Sequence, residues 1–131
     1  MVVVLIVASG AAWESTVLQL LQEHPGVVVL KRCVDVDDLL AAAASGQADV
    51  AVVGIDAPGL DLAAVDHLRR HGVRPVAIVP AEASGDAARL RASRIGVPAL
   101  VADAELTRVP EAVTAPRGAP SPRELDAAAG V

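Results

Sequence analysis

Continuous apolar runs rich in valine alternate along this chain with segments whose apolar residues recur every third or fourth position. This is the pattern of strands buried on both faces, interleaved with amphipathic helices. Val2 to Ala8 is the first run, and its lack of polar alternation places both of its faces in a core. The following "SGAAWESTVLQLLQEHPG" sets Trp13, Val17, Leu20 and Leu21 on one helical face and stops at Pro25-Gly26. "VVVLKRC", Val27 to Cys33, predicts the second strand, and "DVDDLLAAAASG" a helix capped by Asp35 or Asp37 and ended by Gly46. In "ADVAVVGIDAPGLDL", Val50 to Val53 is a third strand and Pro58-Gly59 a turn. "DLAAVDHLRRHG" then turns Leu62, Val65 and Leu68 inward and stops at Gly72. "RPVAIVP", "SGDAARLRASRIG" and "VPALVA" supply a fourth strand, a short helix and a fifth strand. Strict strand-helix alternation of this kind predicts a parallel sheet covered on both faces.

Beyond the fifth strand the pattern weakens. "AELTRVPEAV" predicts a short last helix limited by Pro110. "TAPRGAPSPRELDAAAGV", Thr114 to Val131, has too few large apolar groups to order itself and reads as a Pro/Ala/Gly-rich linker or disordered tail. That leaves residues 1–113 as one domain, a size that suits a chain of 131 residues.

The core must be aliphatic, since the 53% apolar share includes one Trp and no Phe or Tyr. Base stacking therefore has almost nothing to work with, and a net charge of −5 gathers no phosphates, so nucleic acid is not the expected partner. The opening "VVVLIVA" is too short to span a bilayer and no basic residue precedes it, so no membrane insertion and a cytoplasmic location are expected. Cys33 stands alone and can form neither an internal disulfide nor a multi-cysteine zinc site; it reads as a small core hydrophobe.

Five strand-helix units in this order resemble the response-regulator receiver domain, a flavodoxin-like fold. "DVAVVGIDAPGLD" is similar to that family's third strand and loop, "SRIGVPALV" to its lead into the fifth strand, and the resemblance covers roughly residues 2 to 103. It implies an α/β doubly wound, five-stranded parallel sheet in the order 2-1-3-4-5, here with a weak or missing last helix. It also implies chemical groups at the strand ends, and this sequence departs at every one. Ala8 and Ser9 stand where an acidic pair would hold magnesium, and Gly54 where the acceptor aspartate would end strand three. Pro80 replaces the hydroxyl residue after strand four, and Ala102 with Asp103 the lysine and proline after strand five. Without metal ligands, nucleophile, hydroxyl and lysine, phosphoryl transfer has no route. The resemblance thus becomes a pseudo-receiver with no catalytic, cofactor-binding or metal-binding residues. The alternative acceptor is Asp56, two residues on, which lacks the acidic pair to bring in a metal.

Other candidates carry less chemistry. His67 and His71 have a metal-sharing spacing, but "HLRRH" lacks the glutamate and third ligand of a zinc hydrolase. "DVDD" lacks the glycine and distal glutamate of a calcium loop and is better explained by helix capping. Ser9-Gly10 belongs to no nucleotide-binding glycine motif. Arg89, Arg91 and Arg94 form a basic patch, read as a solvated face or a docking surface for an acidic partner. Trp13 reads as core rather than contact.

Two readings follow. In the first, the domain binds a protein partner or self-associates as a homodimer, using an apolar strip beside an incomplete last helix. A degenerate receiver followed by a proline-rich segment resembles the amino-terminal part of CpaE-type pilus-assembly ATPases of the MinD and ParA family. That resemblance implies localisation or regulation of an ATPase domain in cis, although no Walker motif occurs in these residues. In the second, weaker reading, the strand-end crevice lined by Ala8, Ser9, Gly54, Asp56, Pro80 and Ala102 takes a small ligand.

Overall fold

A parallel neighbour can be reached only by a crossover, and each apolar run here is followed by a helix long enough to make one. The computed structural model describes residues 1–7, 10–81 and 85–115. Its elements are β1 (Val2–Val7), α1 (Glu14–Glu23), β2 (Val27–Cys33), α2 (Val36–Ala43), β3 (Val50–Gly54), α3 (Leu62–Arg70), β4 (Arg74–Val79), α4 (Gly85–Ile95) and β5 (Ala99–Ala102). A 3-10 turn (Leu106–Arg108) leads into α5 (Val109–Thr114). The five strands are parallel in the order β2-β1-β3-β4-β5, as the receiver resemblance implies.

The two-residue period of the strands divides the core into two layers. Leu5, Val7, Ala51, Val53, Ala77 and Val79 face α2, α3 and α4, where Leu39, Val65, Leu68 and Ala92 close over them. Val4, Ile6, Val50, Val52, Val76 and Ile78 face the other way, against Val17 and Leu21 of α1 and Val109 and Val113 of α5. Each fully buried Leu or Ile in these layers stabilises the fold by about 1.5–3 kcal/mol relative to exposure. The edge strand β2 breaks register between Val29, opposite Val4, and Lys31, opposite Leu5. Leu30 is the extra residue there, and such a bulge blunts an edge against pairing with another sheet.

The helix starts follow capping chemistry. Asp35 accepts from the Asp38 amide at 2.8 Å, which decides between Asp35 and Asp37, and Asp61 accepts from the Ala64 amide at 2.8 Å. Inward faces differ from expectation at two leucines. Leu62 is 61% exposed, because the buried stripe of α3 is Ala64, Val65 and Leu68 and Leu62 sits about 120° round from Leu68. On α1, Leu18 rather than Leu20 joins Val17 and Leu21 against the core.

The last helix is short but formed. Pro110 lies in its first turn, where a missing amide costs no hydrogen bond, so the proline starts the helix instead of confining it. Val109 and Val113 are buried, so the apolar strip expected beside an incomplete helix is covered. Arg74 fixes the far end, donating from Nη2 to the carbonyls of Ala112 and Val113, both at 3.1 Å, and of Ala115 at 3.4 Å. The helix runs through Thr114; the rest of the expected tail, from residue 116, lies outside the described residues. Among the described residues no helix is long and apolar enough to cross a membrane.

Candidate functional site

In an open parallel sheet the crevice forms beyond the carboxyl ends of the strands, where the strand order reverses. In this sheet that point lies between β1 and β3, and a cleft of about 460 Å³ opens there. Ala11 and Trp13 before α1, Gly54 at the end of β3 and Asp56 after it, Pro80 after β4 and Asp103 after β5 line it. The strands therefore bring Gly54, Asp56 and Pro80 together as the sequence suggests. Ala102 ends β5 as expected, but its neighbour Asp103 lines the cleft in its place. Ala8 and Ser9 lie outside the described residues.

Gly54 closes β3 opposite Ile78 of β4 and, by the strand's period, faces the α1 side. A Cβ placed on it would meet the Trp13 indole, with Cζ2 at 3.3 Å, Nε1 at 3.6 Å and Cε2 at 3.8 Å. A side chain at this position would thus press on a ring from the neighbouring loop. The ring's base is held: the Trp13 carbonyl accepts from the Val17 amide at 3.1 Å, and Glu14 accepts from the Gly10 amide at 3.1 Å. Trp13 is half-buried, packed against the α1-side core while lining the cleft, so it is neither pure core nor free contact. Its signal in the sequence is a large-small complement: the lone aromatic follows β1 and a glycine ends the adjacent β3.

The polar groups of the cleft suit a magnesium ion poorly. Such an ion takes oxygen ligands in near-octahedral array, whereas Gly54 offers no carboxylate. Asp103 already accepts from the Ala81 amide at 3.0 Å, and Asp56 stands exposed on the loop after β3. Among the described residues no three His, Cys, Asp or Glu side chains converge on one point.

The remaining candidates are placed as follows. His67 Nε2 lies 3.1 Å from the Leu40 carbonyl and so serves the α2–α3 contact, with the His71 ring 4.6 Å away centroid to centroid. Arg91 turns onto the β3–α3 loop, donating to the carbonyls of Leu60 at 2.9 Å and Ile55 at 3.4 Å. Arg89 and Arg94 are exposed on α4. Asp38, the last aspartate of "DVDD", pairs with Lys31 at 2.7 Å and accepts from the Val34 amide at 3.0 Å. Lys31, chiefly through that hydrogen bond, holds the Asp38 carboxyl below its ordinary value.

Strand order, the two helical layers and the strand-end cleft define a receiver fold. No family model matches the chain, and no curated protein matches it in sequence. Among solved structures it is similar to the signal receiver domain of a protein described as the response regulator NarL from Mycobacterium tuberculosis: 19% identity, TM-score 0.69, covering 88% of this chain and 98% of that one. A LuxR-family two-component response regulator from Aurantimonas sp. SI85-9A1 is 23% identical, with TM-score 0.66 and coverage of 98% and 95%. A protein described as the pilus assembly protein CpaE, from Burkholderia thailandensis, is 20% identical, with TM-score 0.62 and coverage of 88% and 100%.

Proposed function

We propose that this domain is a pseudo-receiver: a non-catalytic module that keeps the receiver shape, accepts no phosphate in the usual way and acts by binding protein. One observation carries the reading. The acceptor position is a glycine with an indole packed over it, so a phosphoryl group would find no nucleophile there. Ala8, Ser9, Pro80 and Ala102 extend the same loss to the metal, hydroxyl and lysine positions.

The partner is a protein, a second copy of this chain or an ATPase domain in cis. The similarity to the structure described as the pilus assembly protein CpaE supports a pilus-assembly context; on this reading the domain regulates or localises a MinD/ParA-like ATPase in the cytoplasm. Nucleic acid is disfavoured by the net charge of −5.

The test is incubation of the full chain with acetyl phosphate and magnesium, followed by intact-mass measurement. No phosphoryl adduct is expected. An adduct that disappears in Asp56→Asn would establish the alternative, an atypical receiver with its acceptor displaced by two residues. Sedimentation over a concentration series decides whether the partner is a second copy.

A further inference from the structure

A group that switches an α/β domain does so by drawing loops together at the strand ends, through contacts made in one state and absent in the other. In this chain those junctions are already bridged by its own side chains. Trp13, before α1, lies over Gly54 at the end of β3. Arg91 of α4 holds the carbonyls of Ile55 and Leu60 in the loop that follows β3. Asp103, after β5, holds the amide of Ala81, after β4. Trp13 after β1, Ile55 and Leu60 after β3, Ala81 after β4 and Asp103 after β5 are therefore tied without a ligand.

On the footing of the non-catalytic reading, we infer that these three ties lock the strand-end loops in one arrangement, with the Trp13 indole as built-in occupant of the hollow above Gly54. The loop surface is then presented constitutively, and a partner reads it without a preceding signal. The steric complement is specific. Gly54 is not at a positive φ, so its backbone would accept a side chain, and what stands in the way is the ring.

Trp13 is the chain's single tryptophan, so its emission reports on the hollow directly. In Gly54→Asp the new side chain presses on the ring, which must shift to admit it. The expected result is red-shifted emission, stronger acrylamide quenching and amide exchange across residues 55–60 raised about tenfold. Gly54→Ala, whose Cβ meets the ring at the 3.3 Å contact, should give a smaller shift in the same direction. Trp13→Ala should raise exchange in the same segment, and free indole should lower it again by refilling the space.

Emission and exchange in Gly54→Asp equal to wild type would overturn the lock, and exchange that indole leaves raised would overturn the role of the ring as occupant. If Trp13→Ala does not fold, the glycine series alone decides. Beryllofluoride with magnesium separates the two levels. A saturable emission shift in the wild type overturns the non-catalytic reading itself, whereas a wild type silent to beryllofluoride together with Gly54→Asp emission and exchange equal to wild type overturns the lock alone.

Discussion

Cys33 shows how one residue's surroundings set its chemistry. Its side chain is fully buried at the end of β2, and burial, with the nearby Asp38 carboxylate second, pushes the thiol up to about 11 from an ordinary 9.0. The folded value lies above the unfolded one, so the neutral thiol's contribution is whole below pH 9.0 and is lost as pH rises toward 11. Urea midpoints measured between those values should fall in the wild type and fall less in Cys33→Ala. A thiol reagent at neutral pH should modify Cys33 only at the rate of unfolding. The Asp61 cap gives a second residue-scale expectation. Asp61→Ala should cost about 1 kcal/mol in urea unfolding, since it removes the acceptor for the Ala64 amide.

At the scale of elements, α5 is the least self-sufficient helix, six residues long and started by a proline. It is held by its own buried Val109 and Val113 and by Arg74, which binds the carbonyls of Ala112 and Val113 in its last turn and of Ala115 just beyond it. Arg74→Ala should lower stability by about 2 kcal/mol, the scale of a charged donor lost to backbone acceptors. It should also speed amide exchange in residues 109–114 well above that in α1; exchange unchanged there would show that valine packing alone seats the helix.

The same element marks where sequence reasoning falls short. Strands and most helices were legible because buried parallel strands read as uninterrupted valine runs, and Asp35, Asp61 and Gly72 punctuate the helices. The sealing of α5 was not, because Arg74 and the carbonyls of Ala112 and Val113 meet only through tertiary contact. Leu62 misled for a related reason: a helix's first apolar residue after its cap need not lie on the buried stripe. At the cleft, Gly54, Asp56 and Pro80 could be placed from strand ends alone. The indole over Gly54 and the turn of Arg91 onto the Ile55 and Leu60 carbonyls depend on how loops from different strands pack, which no local pattern records.

Across the whole molecule, the features fit the proposed reading of a receiver-shaped scaffold that acts by binding protein rather than by phosphoryl chemistry. The sheet supports a cleft at the switch point of its strand order, the cleft's centre is a glycine beneath an indole, and among the described residues no three ligating side chains converge there. Exposed aliphatic side chains remain at Val28, Leu30, Val34, Leu62 and Leu90, and Arg89 and Arg94 are exposed on α4. The most direct test of the central claim is an amide NMR spectrum of the full chain titrated with magnesium and beryllofluoride. Resonances of Gly54, Asp56, Ala81 and Asp103 should stay in place throughout; a saturable, magnesium-dependent shift centred on those residues would contradict the account.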